Sequence, residues 1–143
     1  MIVVDTNVMV RLVVGGPDGV EAARLLRTDP EWAAPALLLS ELRNALIGLV
    51  RQGGVTLDQA KVMCDAAALV LADRVTSVSA AQVIDIAHEY GLTAYDAEFV
   101  AVARTLGLRL VTLDRQVLRG ASDIAVPLAS ASSNRRDPSN REE

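Results

Sequence analysis

Residues 1–7, Met1-Ile2-Val3-Val4-Asp5-Thr6-Asn7, decide how the chain is read. Four apolar residues stop abruptly at an acid, the pattern of a short strand buried on both faces. Strands of that kind belong to parallel sheets, in which crossover helices cover each side. A short helix is expected from about Thr6 to Val13, and Gly15-Gly16-Pro17-Asp18-Gly19 breaks it. Helical periodicity returns from Val20 to Arg27, and Trp32 to Ala34 reads as a second strand. Pro35 suits the first turn of a long helix that runs to Gln52, where Gly53-Gly54 stops it.

Thr56-Leu57-Asp58-Gln59 and Ser79-Ala80-Ala81-Gln82 both have the form of a capping box. They open helices ending at about Asp73 and at Gly91, with a strand candidate, Val75 to Val78, between them. Thr93 opens a further helix that Gly107 closes, Leu108 to Leu113 reads as a strand ending at Asp114, and Ile124 to Leu128 as the last strand. Strands alternating with helices predict an α/β fold, a three-layer α/β/α domain with a mainly parallel sheet over residues 1–128. Residues 129–143 show no apolar periodicity and are expected to form a polar, disordered tail.

At 143 residues, 51% of them hydrophobic, the chain suits one domain around a single core. Fourteen basic against eighteen acidic residues argue against a protein that coats nucleic acid non-specifically. An aromatic share of 3% excludes a row of stacked rings for holding single strands. The lone Cys64 allows no intrachain disulfide and no cysteine zinc site, so a reducing, cytoplasmic compartment is expected. Asp5 and Arg11 interrupt the first apolar run, which speaks against a secretory signal. Ser40, Glu41, Arg43 and Asn44 interrupt the longest apolar stretch, so no membrane span is expected.

In an open α/β sheet, ligands bind beyond the carboxyl ends of the strands. Asp5 and Asp114 each follow a predicted strand directly, a place that also suits an ordinary helix N-cap. Asp96 shares a helix face with Phe99, Val100, Ala103 and Leu106, although as the third residue after Thr93 it also fits a capping pair. Glu41 falls between the apolar and polar arcs of its helix, where an acid can face inward or snorkel to water. Together the four acids form a different kind of pattern. Two ionised carboxylates at 4 Å repel by about 4 kcal/mol at an effective dielectric of 20, so four converging acids require a cation or bound protons. Oxygen donors without His or Cys match Mg²⁺, with Mn²⁺ as the alternative.

Val3-Val4-Asp5-Thr6-Asn7, Ser40-Glu41, Thr93-Ala94-Tyr95-Asp96-Ala97 and Leu110-Val111-Thr112-Leu113-Asp114 resemble the PIN domain, over about Ile2 to Leu128. Their order and spacing most resemble the VapC toxins of toxin–antitoxin pairs. The resemblance implies a metal-dependent endoribonuclease in which Asp5, Glu41, Asp96 and Asp114 are the catalytic acids and Asn7 and Thr112 support them. It further implies a homodimer and a VapB-like antitoxin that covers the acidic site and carries the DNA-binding domain, so that DNA is met only through the complex. Asp5 and Asp96 are expected to ligate metal directly. Glu41 and Asp114 are expected to ligate a second metal or to orient the attacking water. Arg43 and Arg115, beside motif acids, are candidates for RNA phosphate contacts or plain surface charges.

Two other readings compete. A phosphotransferase with Asp5 as covalent nucleophile wants a second Asp two residues on, where this chain has Asn7. A non-catalytic interaction module would keep the fold without turnover. His88 is expected to face solvent, Cys64 to fill core space, and Trp32 and Tyr95 to be packing residues. The glycine-rich stretch at residues 15–19 lacks the Lys-Ser/Thr of a phosphate-binding loop.

Overall fold

The computed structural model describes residues 1–133. In chain order the elements are β1 (Ile2–Val4), α1 (Thr6–Val14), a 3₁₀ turn (Pro17–Gly19), α2 (Val20–Thr28), β2 (Trp32–Ala33), α3 (Leu37–Arg51) and α4 (Leu57–Leu71). They continue with α5 (Ala80–Tyr90), α6 (Ala94–Leu106), β3 (Leu110–Thr112), α7 (Arg115–Gly120), β4 (Ala125–Pro127) and α8 (Leu128–Ser133). The four strands form one all-parallel sheet in the order β2-β1-β3-β4. Successive residues Val3 and Val4, Trp32 and Ala33, and Leu110 and Val111 are all fully buried. Neighbouring strand residues point to opposite faces, so both faces of the sheet are covered, as the uninterrupted apolar runs require.

The chain leaves β1 for β2 on one side and returns to β3 on the other. That reversal makes the gap beyond the carboxyl ends of β1 and β3 the topological switch point. Register completes the arrangement. Val3 pairs with Leu110 and Val4 with Val111, which brings Asp5 beside Thr112. The two capping boxes form as expected, with Thr56 and Gln59, and Ser79 and Gln82, bonded reciprocally. Gly91 and Gly107 close α5 and α6 in left-handed conformation, at φ 65 and 66, which a residue without Cβ adopts most cheaply.

Several local expectations change. Val75 to Val78 forms no strand. Val75 makes a single parallel bridge to Ala34, whose N–H and carbonyl bond Arg74 O and Thr76 N, and the ladder ends there because Ala36, the next residue facing that segment, already turns into α3 with helical backbone angles. Pro35 precedes α3 instead of lying in its first turn, and its carbonyl accepts from Leu38 N. The six-residue α7 is an addition, too short to show helical periodicity in the sequence. Residues 129–133, expected to begin the tail, lie in α8, which packs on α2 through the buried Leu128 and Ser132. The remainder of the expected tail, residues 134–143, lies outside the described residues. Tyr95 is also corrected. It is 67% exposed in the first turn of α6, whereas Trp32 is fully buried with its indole N–H donated to Asp29 O at 2.8 Å. His88 is exposed and Cys64 half-buried against the core.

The core centres on the strands and on Leu38, Leu42, Phe99 and Val100 from α3 and α6. Leu110→Ala, at a fully buried strand position, is expected to lower stability by about 2–5 kcal/mol in urea unfolding. Leu69→Ala, at a residue 81% exposed, is expected to stay within about 0.5 kcal/mol of the parent.

Candidate active site

Asp5 caps α1, its Oδ1 accepting from Thr6 N at 2.8 Å. Its Oδ2 accepts from the Thr112 hydroxyl at 2.6 Å, across the β1–β3 register. Thr112 Oγ1 in turn accepts from Asp114 N at 3.0 Å, so one buried hydroxyl ties the ends of both strands together. Asp114 caps α7, its Oδ1 accepting from Gln116 N at 2.8 Å and Val117 N at 3.3 Å. Both acids therefore cap helices, as expected, and both also line the cleft described below. A cap occupies part of a carboxylate and leaves the rest at the helix N-terminus, where the backbone dipole favours negative charge.

Glu41 reaches the same place from α3, its Oε1 accepting from the Thr6 hydroxyl at 2.9 Å. Asp96 sits in the first turn of α6, its backbone N–H donated to Thr93 Oγ1 at 3.1 Å. Asn7 Oδ1 accepts from Leu113 N at 3.3 Å, pinning the chain between Thr112 and Asp114. Asp5, Glu41, Asp96 and Asp114 all line one open cleft of about 670 Å³, together with Thr6, Asn7, Val10, Arg11, Ser40, Asn44 and Ala45. Arg43 and Arg115 do not join them. Both are exposed, and Arg43 donates to Ser40 Oγ at 3.1 Å.

Thr6 has a role that sequence reasoning did not assign, because it holds two acids at once, Asp5 through its N–H and Glu41 through its hydroxyl. Its only sequence signal is its place directly after the first acid. Arg11, Ser40 and Asn44 likewise went unassigned as cleft residues, although Asn7 and Arg11, and Ser40 and Asn44, carry the one-turn spacing that puts two residues on one helix face.

Burial raises the Asp5 carboxyl from its ordinary 3.8 to about 6, against the hydrogen bonds from Thr112 and Thr6, and the charges of Asp96 and Glu41 add to the rise. Asp96 is raised as well, by burial first and then by the charge of Asp114, with Thr93 opposing. The acids thus stand near enough to resist one another's ionisation. Among the described residues no three His, Cys, Asp or Glu side chains stand close enough to hold one metal ion between them. This still fits a small hard cation, since Mg²⁺ is ordinarily held by one or two carboxylates and keeps several waters. Carboxylate oxygens alone line the cleft as anionic donors, and that set does not suit zinc or copper.

The PIN domain family model matches residues 2–122. Among solved structures, the crystal structure of PAE2754 from Pyrobaculum aerophilum superposes with a TM-score of 0.73 at 26% identity. The match covers 91% of this chain and 92% of that one. No curated protein matches the chain.

A pH dependence follows from Asp5. Its folded pKa, about 6, lies above the ordinary 3.8, so the native state holds this proton more tightly. The stability this contributes is complete below 3.8 and is lost as pH rises through 6, by up to about 3 kcal/mol. In chelator, urea unfolding should show the parent losing stability over this window relative to Asp5→Asn, and Mg²⁺ should reduce the loss. Parallel pH profiles for the two proteins would contradict the assignment.

Proposed function

Because the chain belongs to the PIN domain family, whose fold is of the nuclease type, we propose that it is a metal-dependent endoribonuclease that cuts structured cellular RNA as the toxin of a toxin–antitoxin pair. The observation that carries this reading is the meeting of Asp5, Glu41, Asp96 and Asp114 in one cleft at the switch point of the sheet. All four come from separate helices or their caps, so their meeting is a property of the fold and not of local sequence.

When bound, a divalent cation supplies charge neutralisation at a phosphodiester and a nucleophile at neutral pH. Asp5 and Asp96 would hold it, Asp5 being the more rigid because both its oxygens accept hydrogen bonds. Glu41, anchored through Oε1 by Thr6, keeps Oε2 to orient a water or take its proton. Asp114, anchored through Oδ1, keeps Oδ2 for the same task or for a second cation. Attack by water in place of the ribose 2′-hydroxyl leaves 5′-phosphate and 3′-hydroxyl ends. Asn7 belongs to the scaffold and does not act on substrate through Oδ1, since Leu113 N holds that oxygen. This weighs further against a phosphotransferase, which needs a free acid at that position.

The toxin reading rests on the order and spacing of the motifs. It brings with it a homodimer and an antitoxin whose segment covers the cleft, with DNA met only through that antitoxin. No helix among the described residues is long and apolar enough to cross a membrane.

Purified protein free of antitoxin should cut total cellular RNA at discrete sites with Mg²⁺ or Mn²⁺. Excess chelator should abolish the cuts, and Asp96→Asn should reduce them by about a hundredfold or more. Cleavage that persists in both cases would come from a contaminant. A folded, metal-binding protein that cuts no RNA would turn the reading toward the interaction module.

A further inference from the structure

Among the described residues, Arg11 is the one basic residue that lines the cleft. α1 lines it with Asn7, Val10 and Arg11, and α3 faces α1 with Ser40, Glu41, Asn44 and Ala45. These two helices form the walls of a groove leading away from the strand ends. Arg11 lies six residues beyond Asp5, about 9 Å along a helix that rises 1.5 Å per residue.

The chain fixes the Arg11 backbone and leaves its head group uncommitted. Gly15 N donates to Arg11 O at 3.1 Å, and a Cβ on the buried Gly19 would stand 2.5 Å from that same oxygen. Only glycine lets the turn after α1 close so tightly on this carbonyl. The Arg11 side chain is exposed and has no ion pair or hydrogen bond among the described residues. Arg74, Arg104 and Arg43 are engaged, with Asp73 and the Trp32 carbonyl, Glu89, and Ser40 respectively, and of the uncommitted arginines among the described residues Arg11 is the one that lines the cleft. Four acids repel a phosphate backbone from this cleft, and a cation at the acids cannot neutralise the phosphates farther along the strand. A guanidinium at the far end of the groove meets that need, because its planar fork matches two phosphate oxygens.

Building on the nuclease reading, we propose that Arg11, with Asn44 across the groove, holds a phosphate of single-stranded RNA flanking the scissile one and so sets the path of the strand through the cleft. Arg11 is a positioning residue and takes no part in bond cleavage. A base in the last turn of α1 also complements the helix dipole. That role alone would change thermal stability and leave RNA affinity untouched.

The test has two arms. In the first, steady-state cleavage is compared for the parent, Arg11→Ala, Arg11→Lys and the exposed Arg24→Ala outside the cleft. Arg11→Ala should raise KM about tenfold with kcat within about twofold, Arg11→Lys should recover part of the loss, and Arg24→Ala should match the parent. In the second, fluorescein-labelled single-stranded RNA of mixed sequence is titrated into Asp96→Asn, with and without Arg11→Ala, over a range of monovalent salt. Losing one phosphate contact should make the slope of log affinity on log salt shallower by about 0.7. An unchanged slope with active parent enzyme would overturn the role of Arg11 and leave the nuclease reading standing. A shallower slope with a parent that cuts nothing would keep the phosphate contact and overturn the nuclease reading. Absence of RNA binding in every protein would overturn both.

Discussion

The buried hydrogen bond from the Thr112 hydroxyl to Asp5 Oδ2 is the contact on which the site depends. It joins the ends of two strands that are 107 residues apart in sequence but adjacent in the sheet. The same hydroxyl accepts the Asp114 amide, so one threonine sets the acids that follow β1 and β3 relative to each other. Thr6 extends the network to α3 by holding Asp5 and Glu41 together. Each link satisfies a buried or half-buried polar group, and no buried side-chain nitrogen or oxygen among the described residues lacks a partner. A polar network completed in this way gives the cleft one geometry in place of many.

Such a geometry has an electrostatic cost. Hydrogen bonds from Thr112 and Thr6 favour the ionised Asp5, yet burial and the neighbouring acids outweigh them and raise its pKa to about 6. Asp96 is pushed the same way by burial and Asp114. A protein that needed these residues only as helix caps would have no reason to aim four of them into one cleft. Capping explains one oxygen of Asp5 and one of Asp114. It does not explain Glu41, which caps nothing and lies in the middle of the apolar α3. The convergence concentrates negative charge in one cleft, which on the proposed nuclease reading a divalent cation at the acids would balance.

Much of this was readable before any coordinates. Apolar runs ending at acids marked β1 and β3, and Thr56, Ser79, Thr93, Gly91 and Gly107 bounded their helices through local chemistry that needs no tertiary context. Short elements were not readable in this way. α7 and α8 have six residues each, too few for a helical period, and α8 owes its order to packing on α2. Tyr95, expected to be a packing residue, occupies an exposed position in the first turn of α6. Arg43 and Arg115, near the acids in sequence, lie outside the cleft lining, since residues one or two apart on a helix face different directions. The cleft instead takes Arg11, one turn from Asn7 on α1. Which hydroxyl would hold which acid depended on strand order, and strand order is a global property.

On the reading proposed above, these carboxylates form a site for a divalent cation. Calorimetric titration of Mn²⁺ into the purified protein at pH 6, in buffers of different ionisation enthalpy, tests it most directly. Binding should release protons, because burial raises the Asp5 carboxyl to about 6, and it should weaken by at least about tenfold in Asp5→Asn and in Asp96→Asn. Mn²⁺ binding that is absent, or that is indifferent to both substitutions, would contradict it.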